Sequence, residues 1–188
     1  IDPMPLSMDR EDLIEERAIA ITLTDDNYIR HVPVETFRVQ NRGGKGLKGV
    51  ATKNEDSPQL IVTCFSKDRL LIFTNLGRVY GLKAWETPLG SRHSRGSHIR
   101  NLLSDLQEDE NIVSILPIPK ELHDEVNEKC IKIELQEGEK RPPSGYFLLF
   151  ATKCGLIKKT DLNEYVRIYK KGKYALKLKT HGPEKWNG

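Results

Sequence analysis

Three stretches of this 188-residue chain repeat one pattern, and a repeat this short restricts the folds open to it. They run from Ala18 to Val32, from Leu70 to Lys83 and from Tyr146 to Thr160. Each holds a β-branched or aromatic run ending in Thr (Thr24, Thr74, Thr152), then three residues closing on Asn or Gly, then a second short run. Run, turn and run read as a β-hairpin, with Asn27, Gly77 and Gly155 at the positive-φ position of the turn. Ile19, Ile21 and Leu23 alternate with smaller residues, which predicts one buried face for that strand.

A second shared element follows each hairpin. Gly46 lies in Arg42-Gly43-Gly44-Lys45-Gly46, Gly96 in Arg92-His93-Ser94-Arg95-Gly96, and Gly172 in Lys170-Lys171-Gly172-Lys173. Each basic-glycine loop leads into an apolar strand start. Between hairpin and loop, Val34 to Phe37, Ala84 to Thr87 and Leu162 to Tyr165 read as short turns or single helical turns, with Phe37, Trp85 and Tyr165 as packing residues. The first two units are offset by 50 residues and the third by 78. The excess is the Pro-flanked acidic stretch 119–143, read as an insertion with an extra strand at Cys130 to Leu135.

Repeats of about 40–50 residues with roughly four short strands point to an all-β, propeller-like array. One four-stranded blade cannot bury both faces alone, so stacking on a neighbour must supply the core. The expected division is an acidic leader (1–17), blade 1 with the first glycine loop (18–66), blade 2 (67–118), the acidic insertion (119–143) and a partial blade 3 (144–188).

The formal charge of +3 conceals strong segregation. Residues 28–50, 67–100 and 153–179 carry five, seven and nine Lys/Arg against one, two and two acids, while 105–141 carries eleven acids and five bases. Blocks of one sign create local fields that a net charge does not report. No run of about 18 apolar residues offers a membrane span, and no secretory signal is visible. Three widely spaced cysteines fit a reducing compartment better than a disulfide scaffold. A C-x-x-C pair, an H-E-x-x-H site and a nucleophilic triad are all absent, so no metal and no catalytic residue is expected. The loop at 43–46 fails the nucleotide-binding pattern, because Val50 and Ala51 stand where Lys and Ser/Thr are needed.

Glycine lets backbone approach a ligand closely, and adjacent Arg and Lys offer charge and hydrogen bonds to phosphate oxygens. Loops of this kind at equivalent places in a stacked array would line one edge, and a curved basic edge fits double-stranded DNA. The cations expected on this outer surface are Arg30, Arg38, Arg42, Lys45 and Lys48 in the first unit. Arg78, Arg92 and Arg95 belong to the second, and Lys158, Lys170, Lys171 and Lys173 to the third. The acidic insertion is expected to lie away from it.

The segment Gln40-Asn41-Arg42-Gly43-Gly44-Lys45-Gly46 resembles the seven-residue box of the DNA gyrase A family, Gln-Arg-Arg-Gly-Gly-Arg-Gly, with five of seven positions identical. Phe73 to Tyr80 resembles that family's second-blade hairpin, and Asp12-Leu13-Ile14 with the following strand resembles its entry into the first blade. The likeness covers residues 9–118 and, less closely, 145–179. It implies a β-pinwheel, a propeller-like ring or spiral of four-stranded blades. About three blades are visible here, where the family has six. It implies a rim that wraps duplex DNA beside a cleavage core, with the 40–46 box closing the wrap. The catalytic residues would lie outside this chain. ATP and Mg would be used by a holoenzyme, formed as A2B2 from the rest of the gyrase A polypeptide together with a gyrase B-like subunit, in the bacterial cytoplasm at the nucleoid. The chain departs from the family pattern at Asn41, which removes one cation, and in the 119–143 insertion. The C-terminal DNA-binding domain of the topoisomerase IV A-type subunit shares the blade fold but typically has a degenerate box. A propeller-like protein-interaction module is the reading from another class.

Overall fold

The computed structural model describes residues 11–36, 57–91, 94–132, 142–153 and 155–178. In chain order the strands are β1 (Ala18–Thr24), β2 (Tyr28–Pro33), β3 (Pro58–Phe65), β4 (Arg69–Thr74), β5 (Arg78–Lys83), β6 (Ser97–His98) and β7 (Ile112–Ile118). Helix α1 (Lys120–Lys132) follows, then β8 (Phe147–Ala151), β9 (Ile157–Asp161) and β10 (Lys173–Tyr174).

All three hairpins are built alike. Asn27, Gly77 and Gly155 have φ of 62°, 75° and 74°, the left-handed region the turn requires. Their N–H groups donate to the carbonyls of Thr24, Thr74 and Thr152 at 2.9, 3.0 and 3.0 Å. The recurring Thr has a second task. Its hydroxyl accepts from the N–H of Tyr28 (3.1 Å), Arg78 (3.3 Å) and Leu156 (3.2 Å), satisfying the first donor of the returning strand. The single turns at Val34–Thr36, Ala84–Glu86 and Leu162–Tyr165 also recur at equivalent places.

Two antiparallel sheets have four strands, in the orders β3-β1-β2-β6 and β10-β5-β4-β7, and a third pairs β8 with β9. The outer strand of each four-stranded sheet comes from the following unit. β6 pairs with β2 through Ile29↔Ser97, and β10 pairs with β5 through Val79↔Lys173. The sheets therefore cross the sequence divisions at 66/67 and 143/144. The strands that follow Gly96 and Gly172 thus each close the sheet of the unit before their own.

The core lies between sheets. Ile19, Ile21, Leu23 and Ile29 of the first sheet pack with Leu70, Ile72, Tyr80 and Leu82 of the second. Leu71 and Val79, on the opposite face of the second sheet, pack with Val126 and Cys130 of α1 and with Leu162, Tyr165 and Ile168. The middle sheet is thus covered on both faces, as stacking demands. On β1 the alternation sorts residues by size rather than exposure. Its large apolar side chains face the core, while Ala20, Thr22 and Thr24 on the other face are also buried. The expected single buried face is corrected to two.

The insertion is corrected as well. Cys130 belongs to α1, not to a strand; residues 133–135 lie outside the described residues. Leu122, Val126 and Cys130 recur every four residues, and that helical stripe packs into the second core cluster. Pro119 precedes the helix, and the Asp68 carboxylate accepts from the Lys120 N–H at 3.1 Å. The buried Cys130 thiol donates to Asn163 Oδ1 at 2.9 Å, and His123 Nε2 lies 3.1 Å from the Val166 carbonyl. This part of the acidic block is a packed element of the third unit. Among the described residues, no helix is long and apolar enough to cross a membrane.

Candidate nucleic-acid interface

The strand exchange decides where the cations go. The described loops at Gly96 and Gly172 each lie against the hairpin of the unit before their own, and glycine makes that fit. Gly96 (φ 83°) and Gly172 (φ 69°) take the left-handed region. A Cβ on Gly96 would collide with the Ile29 carbonyl. One on Gly172 would lie 2.6 Å from the Tyr80 ring and 3.0 Å from the Val79 carbonyl. Ile29 and Val79 are the same position of the repeat, two residues past the turn. The two described loops therefore share one seat, and they are repeated along equivalent sheet edges.

Arg30 is the residue of blade 1 equivalent to Tyr80. It is 2% exposed, and its stem lies beneath Gly90 and Gly96. Its expected place on an outer surface is corrected: the next unit's loop, at Gly90 and Gly96, covers it. Arg78 is also drawn inward, with its side chain 12% exposed. It pairs with the fully buried Glu110 side chain at 3.2 Å, donates to the carbonyls of Asp105 (2.9 Å) and Lys171 (3.0 Å), and lies over the Tyr80 ring. Glu110 also accepts from the Thr74 hydroxyl (2.6 Å), the Tyr80 phenol (2.8 Å) and the Gln107 N–H (3.1 Å). Burial, with the Glu110 hydrogen bond, pushes the Tyr80 phenol well above its ordinary range. Arg78 is thus a clamp that holds the 170–173 loop to the second sheet.

The remaining described cations stay outside. Arg95 is half exposed, stacks over Tyr28 with 3.9 Å to the ring centre, and pairs with Asp26 at 3.0 Å. Lys158, Lys171 and Lys173 are exposed. Lys158 Nζ donates to the Ala175 carbonyl at 2.9 Å, which draws the third hairpin to the same strip. Lys170 pairs with Glu86 at 2.8 Å, and Lys173 reaches Glu164 and the Tyr165 ring. Lys158, Lys170, Lys171 and Lys173 therefore gather along one segment of the second sheet's edge, with Arg95 on the matching loop of the first. Gln40, Asn41, Arg42, Gly43, Gly44, Lys45 and Gly46 lie outside the described residues, as do Arg38, Lys48 and Arg92.

Known proteins share this architecture. The family model described as DNA gyrase C-terminal domain, beta-propeller, matches residues 19–57, 68–119 and 146–180, which follow the three repeats. The chain belongs to that family. The DNA gyrase A protein of Staphylococcus epidermidis is 40% identical over 172 residues, covering 92% of this chain and 17% of the relative. Its counterpart in Staphylococcus aureus strain MRSA252 is likewise 40% identical over the same share of each chain. The chain thus spans about a sixth of the length of the gyrase A proteins it matches. Among solved structures, the C-terminal domain of a DNA topoisomerase IV superposes with a TM-score of 0.59 at 25% identity, covering 90% of this chain and 44% of that one.

Arg69, Lys83 and Arg167 fall outside the set of cations expected from the loops, yet they line a cleft at the edge of the gyrase-type second blade. For Arg69 a signal is present in the sequence. It stands where the first and third repeats carry Ile19 and Phe147.

Proposed function

We propose that this chain binds duplex DNA along the edges where its basic-glycine loops are seated, and bends the duplex around the array. The observation that carries this reading is the shared seat of Gly96 and Gly172. A cationic loop recurs at one place on successive blades, so phosphate contacts would repeat along a curved path. Arg95, Lys158, Lys170, Lys171 and Lys173 would contact phosphates, which fixes register without reading sequence. Gln40 to Gly46, with Arg38, Lys48 and Arg92, would extend that path. Arg42 and Lys45 would hold the returning DNA, while Gly43, Gly44 and Gly46 would let the loop come close to its backbone.

The chain would serve as the wrapping domain of a type IIA topoisomerase of the gyrase kind. Catalysis, ATP and Mg would belong to an A2B2 holoenzyme built with a gyrase B-like partner, acting in the bacterial cytoplasm at the nucleoid. The near-complete box favours gyrase. The superposition on a topoisomerase IV domain favours, as a second reading, a DNA-binding domain without supercoiling activity.

Bending a 20–30 bp site costs on the order of 1–6 kcal/mol, and contacts at the ends of the path must offset it. The 40–46 box is therefore expected to matter more for wrapping than for affinity. The test replaces 40–46 by Ala in the full-length gyrase A protein, reconstituted with gyrase B, at one salt concentration. Collapse of wrapping and ATP-driven supercoiling, with duplex affinity and relaxation largely kept, is the expected result. Affinity and wrapping falling in proportion would defeat the box assignment. A wild-type holoenzyme that never introduces negative supercoils would move the chain to the topoisomerase IV reading.

A further inference from the structure

A cleft of about 640 Å³ opens at the edge of the second sheet, between the Gly81 end of β5 and the segment 167–173. Arg69, Lys83, Arg167, Lys170, Lys171 and Lys173 line it, against one carboxylate, Glu86. Glu86 answers Lys170 at 2.8 Å, Glu11 answers Lys83 at 2.9 Å, and Glu164 lies 3.7 Å from Lys173. The lining keeps an excess of positive charge after these pairs are counted.

Arg69 is the anomaly. The repeat makes its position apolar: Ile19, almost fully buried, occupies it in the first unit, and Phe147 in the third. Arg69 donates through Nη2 to the Ile168 carbonyl, and among the described residues its Nε is buried without a hydrogen-bond acceptor. Burial disfavours its charged form. Gly81 makes room for this arrangement. A Cβ there would strike the Ile168 carbonyl and come within 2.9 Å of the Arg69 guanidinium. The first unit carries His31 at the same position, so the space left at Gly81 belongs to the second unit. A half-buried guanidinium beside a glycine that admits it, in a cleft lined by five further cations, suits an anion. Planar N–H donors match the oxygens of a phosphate group.

We infer that the cleft around Arg69 is a phosphate-binding pocket. Its ligand is a phosphate oxyanion, supplied either by a DNA phosphodiester, which rests on the DNA-binding reading above, or by a free phosphate compound, which does not.

Pyrophosphate is the probe, titrated into the isotope-labelled chain, with sodium chloride at matched ionic strength as the control. Saturable shifts of the Gly81, Tyr169 and Lys171 amides are expected. R69I restores the residue that the first repeat carries, so it should fold, and it should weaken pyrophosphate binding roughly ten-fold. R69K should recover part of the loss. Should R69I not fold, K171Q and R167Q at exposed positions carry the comparison, each with an expected several-fold loss. Shifts that do not saturate, that map elsewhere, or that are indifferent to these variants would overturn the pocket. A 30-bp duplex then separates the sources. Displacement of pyrophosphate by the duplex assigns the pocket to the DNA path, and simultaneous binding assigns it to a free anion. A chain that binds pyrophosphate there and no duplex retains the pocket and defeats the DNA-binding reading alone.

Discussion

Arg30 and Tyr80 occupy one position of the repeat, fifty residues apart, and both are buried beneath the glycine of the next unit's basic loop. A cation and a phenol thus do the same structural work. Each is a long side chain with a polar end, laid under backbone that could not approach if a Cβ intervened. Gly96→Ala and Gly172→Ala should each destabilise the chain by about 2 kcal/mol or more, since each adds left-handed strain to a direct clash. Urea unfolding measures the loss. Gly145→Ala offers the contrast, because its positive φ lies in open space and only the backbone strain should appear.

The Arg78–Glu110 pair predicts an asymmetric mutational series. Removing one member strands a buried charge, so Glu110→Ala or Arg78→Ala should cost about 3–5 kcal/mol. If Arg78 acted mainly as a phosphate contact, its Ala variant would keep its melting temperature and lose only DNA affinity. Thermal melts run beside duplex binding distinguish the two roles.

His31 predicts a pH response. Burial lowers its folded pKa below the ordinary 6.5, opposed by a hydrogen bond with the Thr87 backbone and reinforced by the Arg17 charge. The fold therefore favours the neutral ring. That contribution is fully present above pH 6.5 and is lost as pH falls through 6.5 toward the lower folded value. Melting temperature should decline over that window in the wild type. The part of the decline owed to this ring should vanish in His31→Gln.

Lys171 and Arg95 differ in partners, which predicts different salt behaviour. Lys171 is an exposed cation on the loop of the second sheet. Lys171→Gln should weaken duplex binding without sequence preference and reduce the salt slope by about one unit. Arg95 stands over Tyr28 and pairs with Asp26. Its Gln variant should change the slope less and lower stability slightly, because part of its charge is already answered. Titrations at four salt concentrations would reverse this order if Arg95 were the stronger phosphate contact.

The local pattern by itself determined the hairpins, their turn residues and the recurring single turns. Thr24, Thr74 and Thr152 recur because one side chain satisfies a backbone donor four residues on, and that chemistry needs no distant partner. Positive φ at Asn27, Gly77 and Gly155 is likewise a local demand of the turn. The three-part repeat was enough to indicate an array of blades, and the residue identities of the 40–46 motif, through their resemblance to a known box, indicated the family. Only the tertiary structure decided which cations face outward. β6 and β10 close the sheet of the unit before them, so the cover over Arg30 comes from Gly90 and Gly96, some sixty residues away. No count of charge along the chain reports that exchange. Tertiary packing also decided that Cys130 lies in a helix. The alternation from Cys130 to Leu135 and the four-residue stripe from Leu122 to Cys130 are both present in the sequence, and the apolar face of the third unit selects the stripe. Arg69 shows the same division. Its departure from the repeat is plain in the sequence, but only the approach of Ile168 over Gly81 makes it the wall of a charged cleft.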